Sequence, residues 1–396
     1  MSPREYVTRQ LSIICGVPVA PTEEQVTRWW AALTREEERR AAPDQHGNFP
    51  HAGSTLAQLG LLESPFLHDD IAALCAQHGE TPARWPNGRR FAACLTHDVD
   101  RIVQRPWRER VRLIARLYKR THPLRLLRWS FSAAVYGAQA LLGATNLAPY
   151  DFWLEEEGRH GFHSTFFVLP EQLEQPTPHD HYYRYRDIVQ LLSESMTFTA
   201  ATRRVRELGW EIGLHGSYGS AFNTGILRGE KERLEGMLGE PVSSVRQHFL
   251  RFNIDVTPQV QADAGFTTDT TLGYSATIGC RAGLAFPYFW PAAGDLLEVP
   301  LIIQDVGLLR NSENGGELAG ALARARALIE RIADAGGVVT LSWHTHPDSP
   351  GAHACYRALL EMIAELGGWG CSLGELNAWW RQRRAAVLES ATEVGS

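Results

Sequence analysis

Residues Phe91–Ile102 read "FAACLTHDVDRI", and this stretch decides how the chain is understood. It opens on an unbroken apolar run suited to a strand buried on both faces. It then delivers His97, Asp98 and Asp100 within four positions. A buried strand that ends in charge fits a parallel α/β fold, in which reactive side chains gather at the carboxyl ends of the strands.

The same rhythm continues downstream. After Phe91 the strand candidates are "FAACLT", "HSTFFVL", "WEIGLH", "SSVRQHF", a weaker one around "GFTTDTT", "LLEVPLII" and "GVVTLSWH". Helical patterns separate them, among them "DFWLEEEGRH", "ATRRVRELG", "LRGEKERLEGML", "TPQVQADAG", "ELAGALARARALIERIADAG" and "HACYRALLEMIAELGG". This alternation predicts βαβ units around a parallel sheet, open or closed into a barrel.

Three regions flank or interrupt that body. Residues 1–88 read as a small α-rich extension, with an amphipathic helix in "TEEQVTRWWAALTREEERRAA" and a break at "RWPNGRR". The α/β unit is expected over 89–380, with 381–396 as a C-terminal tail. Between Arg101 and Arg128 there are ten Lys/Arg against one acid, and "WSFSAAVYGAQALLGATNLAPY" follows without any charge. A basic helical insertion over about 101–150 is expected, covering the active site, touching an anionic membrane surface, or simply packed on the body.

Composition excludes some partners. The formal net charge of -6 and pI near 6.2 give no global attraction to nucleic acid, so no nucleic-acid partner is expected. The six cysteines are scattered without a CxxC pair, which suggests reduced thiols and a cytoplasmic protein. The apolar run in "QLSIICGVPVA" is short and interrupted by Pro18, so a short element is expected there in place of a signal peptide.

Four candidate strands end in side chains able to do chemistry. "FAACLT" leads to Asp98 and Asp100, "WEIGL" to His215, "SSVRQ" to His248 flanked by Arg246 and Arg251, and "VVTLSW" to His344 and His346. Each alone has a bland reading, such as a helix cap, a solvated turn or a satisfied buried histidine. Together they form a set of carboxylates and imidazoles that suits Zn²⁺ or a similar divalent ion, with a further carboxylate as general base and a further histidine as acid. No GxSxG elbow, P-loop or GxGxxG accompanies them.

In this order the motifs resemble those of the polysaccharide deacetylase family, which shares the NodB homology domain, over about residues 90–375. The resemblance implies a distorted (β/α) barrel of about seven parallel strands that hydrolyses N-acetyl groups on amino sugars or glycan precursors. In "THDVD" it implies Asp98 as base and Asp100 as metal ligand; in "EIGLHGSYGS" it implies His215 as ligand. The family places a second histidine where this chain has Gly219, and His248 of "VRQHFLRF" is expected to replace it, with Arg246 orienting the base. "LSWHTH" gives His344 as acid, and "FTTDTTLGY" gives Asp269 as its supporting carboxylate. Arg281, in "CRAGLAFPYFW", is expected to line the substrate cleft, as are Tyr218, Trp343 and His346. Other readings are a non-sugar amide as substrate, a D-x-D glycosyltransferase, or a carbohydrate-binding module stacking sugars on Tyr182, Tyr183, Tyr288 and Trp290.

Overall fold

The computed structural model describes residues 1–79, 85–102, 147–171, 177, 179–180, 183–310, 318–345 and 351–394. His346, Tyr182 and most of the expected insertion over 101–150 lie outside the described residues.

The described strands are β1 (Phe91–Val99), β2 (Thr165–Val168), β3 (Ile188–Leu191), β4 (Glu194–Thr197), β5 (Glu211–Gly216), β6 (Ser244–Gln247), β7 (Thr268–Asp269), β8 (Tyr288–Phe289), β9 (Leu297–Glu298), β10 (Ile303–Gln304), β11 (Val338–His344) and β12 (Gly368–Cys371). The main sheet runs β10-β11-β1-β2-β5-β6-β7-β9-β8, with β12 also pairing β1. Every pairing from β10 to β9 is parallel. All seven expected strands are present, and β3 and β4 form a separate antiparallel pair.

The expected strand "LLEVPLII" divides in two around Pro300, which closes the sheet. β9 pairs with β7, and β10, four residues further on, pairs with β11 at the opposite end of the path. In between, Leu301 N donates to Leu272 O and Ile302 N to Thr340 O, so one short segment bonds to both edges. The two edges of the parallel path therefore meet, as a distorted barrel requires.

Helices cover the outside: Asp151–Gly158, Phe198–Glu207, Thr224–Leu238, Thr257–Asp263, Leu318–Asp334 and Ala352–Glu365 lie where helical periodicity was read. The N-terminal helices Pro3–Cys15, Glu23–Leu33 and His68–Gln77 share one hydrophobic core with the barrel. Residues after 380 continue a helix, Leu373–Val394, and Arg383 donates from it to the carbonyls of Ile13 and Ile14. No helix among the described residues is long and apolar enough to cross a membrane. All six cysteines are buried, and the thiols of Cys15 and Cys75 lie 2.6 Å apart.

Candidate active site

Because the strands are parallel, their carboxyl ends face one side of the barrel. β1 and β11 are neighbours in a register that sets Asp98 beside His344. Strand alternation then decides which residues face the barrel's interior chemistry and which do not. Along β1, Asp98 and His97 point opposite ways, and His97 turns into a buried network. Its Nε2 lies 2.6 Å from Glu157 Oε1, which also accepts from Tyr356, while Trp210 donates to the other oxygen. Along β11, Ser342 and His344 face the site, whereas Trp343 is fully buried beside Tyr356. The expectation that Trp343 touches substrate is therefore corrected: it is a core residue.

Asp98 is held from two sides. Arg246 Nη1 donates to its Oδ1 at 2.9 Å, and Ser342 Oγ donates to its Oδ2 at 3.3 Å. Arg246 is completely buried, bonds also to Ser342 and Thr270, and lies 4.7 Å above the Phe167 ring. That ring reaches its place because residue 213 is glycine; a Cβ there would stand 2.6 Å from it. Burial alone would raise the Asp98 pKa, but Arg246, helped by His215 and His344, outweighs it and holds the carboxyl below its ordinary value. Asp98 is thus ionised and aimed.

Asp100, His215 and His248 bring one ligand atom each to within 4.8 Å of one another. His215 Nδ1 lies 3.0 Å from the Arg246 carbonyl, which places a proton on Nδ1 and turns Nε2 toward Asp100 Oδ1, 3.4 Å away, where it would serve as a ligand once unprotonated. His248 Nε2 is 3.9 Å from Asp100 Oδ2, and its Nδ1 is 3.8 Å from Asp180 Oδ1. Asp180 is itself anchored by the Tyr218 amide at 2.8 Å and by Thr177.

Asp100 Oδ1 is buried yet has no hydrogen-bond partner among the described residues. A spacing of 3.4 Å is long for an N–H···O bond. It equals the roughly 3.4 Å edge between two ligands about 2.1 Å from a tetrahedral Zn²⁺. The three residues therefore form a donor set that fits a metal, which would give the buried acceptor a partner.

His344 stands across this cluster, its Nε2 3.7 Å from Asp100 Oδ2. Its Nδ1 lies 2.9 and 3.0 Å from the two oxygens of Asp305, and its own amide donates to Asp305 at 3.1 Å. Burial works against the charged ring, but Asp305 first, then Asp100 and Asp98, more than compensate and raise the pKa to about 10. His344 is therefore held as an imidazolium close to an ionised Asp98, placing a proton donor and a proton acceptor side by side.

Two expected roles are corrected here. The carboxylate on His344 is Asp305, where Asp269 was expected. Asp269 sits fully buried on β7, where its Oδ1 accepts from Thr271 and burial beside Glu298 pushes both acids' pKa up. Arg281 does not line a cleft either; it is buried and makes a two-pronged pair with Glu38 at 3.0 and 2.6 Å, while donating to Gly273 O at 2.9 Å. Of the expected substrate contacts, Tyr218 is half-buried, and its amide donates to Asp180. Tyr183, Tyr288 and Trp290 are buried and offer no ring for sugar stacking. Asp305, Asp180 and Ser342 were not picked out from the sequence; Asp305 directly follows a strand end, the same signal that marked the others.

No family model matches the chain, and no curated protein matches it in sequence. Among solved structures it is similar to polysaccharide deacetylases and carbohydrate esterases. A protein from Mycobacterium smegmatis described as a polysaccharide deacetylase is 23% identical, with 77% of this chain and 94% of that one covered and a TM-score of 0.47. PuuE allantoinase is 13% identical, with 76% and 93% covered and a TM-score of 0.47. A family 4 carbohydrate esterase from Streptomyces lividans in complex with acetate is 10% identical, with 71% and 92% covered and a TM-score of 0.34. Likenesses this loose do not argue for a shared activity.

Proposed function

We propose that the chain is a divalent-metal-dependent hydrolase that cleaves the acetamide of an N-acetylated amino sugar or glycan precursor. The observation that carries this reading is the division of charge in one cleft: an ionised Asp98 and a protonated, Asp305-paired His344 flank the convergent donors Asp100, His215 and His248. One carboxylate with two imidazoles is a donor set suited to Zn²⁺ that leaves a coordination position open. When bound, such an ion supplies Lewis acidity, polarising a carbonyl and making water a better nucleophile near neutral pH.

The chain's own residues handle the protons. Asp98, kept in place by Arg246 and Ser342, accepts a proton from water as the water oxygen bonds to the acetyl carbon. His344 Nε2 donates a proton to the amide nitrogen as the C–N bond breaks, so the amine leaves neutral and the other product is acetic acid, which loses the second water proton to solvent and becomes acetate. Asp305 fixes the proton on Nδ1 and points Nε2 into the cleft. The proton held by Asp98 then returns His344 to its charged form.

The test is acetate release. Protein stripped with a chelator and reloaded with Zn²⁺, Co²⁺ or Mn²⁺ is incubated with N-acetylglucosamine oligomers and with small non-sugar amides. Metal-dependent release from the oligomers that Asp98→Asn abolishes upholds the reading, and release from the non-sugar amides alone reassigns the substrate. No hydrolysis and no stoichiometric metal at micromolar free ion would leave a binding module.

A further inference from the structure

Resting on that reading, we infer that the N-terminal segment 44–49 builds one wall of the substrate site, an aromatic subsite of His46, Tyr218 and Phe249 that packs on a sugar ring beside the scissile acetamide.

Phe249 follows His248 directly and adopts φ 61, and Leu250 after it adopts φ 50. Two successive non-glycine residues in the left-handed region are costly, and such strain persists only where the surroundings impose it. Here Asn48, buried and 201 residues before Phe249 in the chain, imposes it. Its Nδ2 donates to Phe249 O at 2.9 Å, and its Oδ1 accepts from Phe252 N at 3.1 Å. Arg251 adds a second clamp, donating to His46 O at 2.9 Å and to Tyr218 O while lying 4.0 Å over the Tyr218 ring.

The outcome of this strain is a phenylalanine turned outward, 38% exposed. Around it, the His46 ring lies 4.9 Å away and the Tyr218 ring 5.7 Å, with His46 Nδ1 3.2 Å from the Tyr218 hydroxyl; the exposed His179 ring lies tilted 4.5 Å from that of Tyr218. The His248 ring is 4.8 Å from Phe249, so the patch adjoins the metal-ligand cluster. Aromatic faces with polar edges suit a pyranose, which offers C–H groups on its faces and hydroxyls at its rim. The patch is strained outward, next to the chemistry, and built by a segment that otherwise has no share in it.

The experiment uses the Zn²⁺-loaded full chain. For wild type, His46→Ala, Phe249→Ala and Phe249→Tyr, kcat and KM are measured on N-acetylglucosamine oligomers and on 4-nitrophenyl acetate, which has no sugar ring. Calorimetric titration with glucosamine oligomers, which carry no acetyl group, runs alongside, with thermal melts as a folding control. We expect the two alanine variants to raise KM on the N-acetylated oligomers about tenfold, at least five times more than on the aryl ester, and to weaken glucosamine-oligomer binding to match; Phe249→Tyr should restore both. Equal losses on the two substrates, or oligomer binding unchanged by Phe249→Ala, overturn the inference. If wild type binds the oligomers through Phe249 yet releases no acetate, the subsite stands and the deacetylase reading fails.

Discussion

His344 and Asp305 meet edge to edge: both carboxylate oxygens lie within 3.0 Å of the ring's Nδ1, and the His344 amide bonds to the same carboxylate. Three contacts between one acid and one residue fix the ring's tautomer, its charge and its direction.

If that pair is the general acid, Asp305→Asn should lower kcat by about 10²-fold or more, within the range for general acid–base groups. The double variant with His344→Ala should be little worse than His344→Ala alone, since residues that act as a unit are not additive. Asp269→Asn should leave kcat within about threefold, and a larger loss there would return the supporting role to Asp269.

Metal affinity provides a separate check. Asp100→Ala and His248→Ala should each abolish stoichiometric Zn²⁺, read by competition with a chromogenic chelator. Asp180→Asn should weaken it about 10- to 100-fold, because Asp180 orients His248 without contributing a ligand. Gly219, where the resembled family has its second histidine, has open space around a notional Cβ and φ -84. Sterics therefore do not forbid a histidine at 219; His248, delivered by the end of β6, makes one unnecessary if it is the ligand.

What was legible in the sequence was whatever local periodicity controls. Apolar runs located all seven expected strands, and the four that end in charged or imidazole side chains marked the reactive end, because in a parallel sheet chain direction alone sets which end that is. Asp305 escaped because "LLEVPLII" was read only to Ile303, two residues short of it, and because Pro300 hides that the run serves two strands. Trp343 was misplaced against its own alternation: if His344 faces the site, residue 343 cannot. Arg281 and Asp180 were not legible, since their partners Glu38 and His248 lie 243 and 68 positions away.

Arg281 should prove structural. It and Arg35 both bind Glu38 in a buried cluster, where burial favours the neutral acid but the two guanidiniums pull its pKa down to about 2. Removing one partner from a buried ion pair costs about 3–5 kcal/mol. Arg281→Ala should therefore lower Tm and the urea midpoint markedly while leaving KM for 4-nitrophenyl acetate within about twofold at a temperature where the variant is folded. A large KM change without loss of stability would restore the substrate-lining role.

The Asp269–Glu298 pair should make stability depend on pH in a defined direction. Glu298 accepts from Trp290 Nε1 at 3.1 Å and from Leu272 N at 3.3 Å, and burial together with Asp269 drives its pKa well up; burial raises Asp269 as well. Both acids keep protons in the folded barrel that the unfolded chain releases near pH 4. Between those values the native state binds more protons, so this pair's contribution to stability falls as pH rises from about 4 through neutrality. Asp269→Asn keeps the acceptor used by Thr271 and replaces the carboxyl facing Glu298 with an N–H donor. Its Tm relative to wild type should therefore increase with pH, by about 1–3 °C more at pH 8.5 than at pH 5. A difference that stays flat or shrinks across that range would show that the two acids are not sharing protons in the folded state.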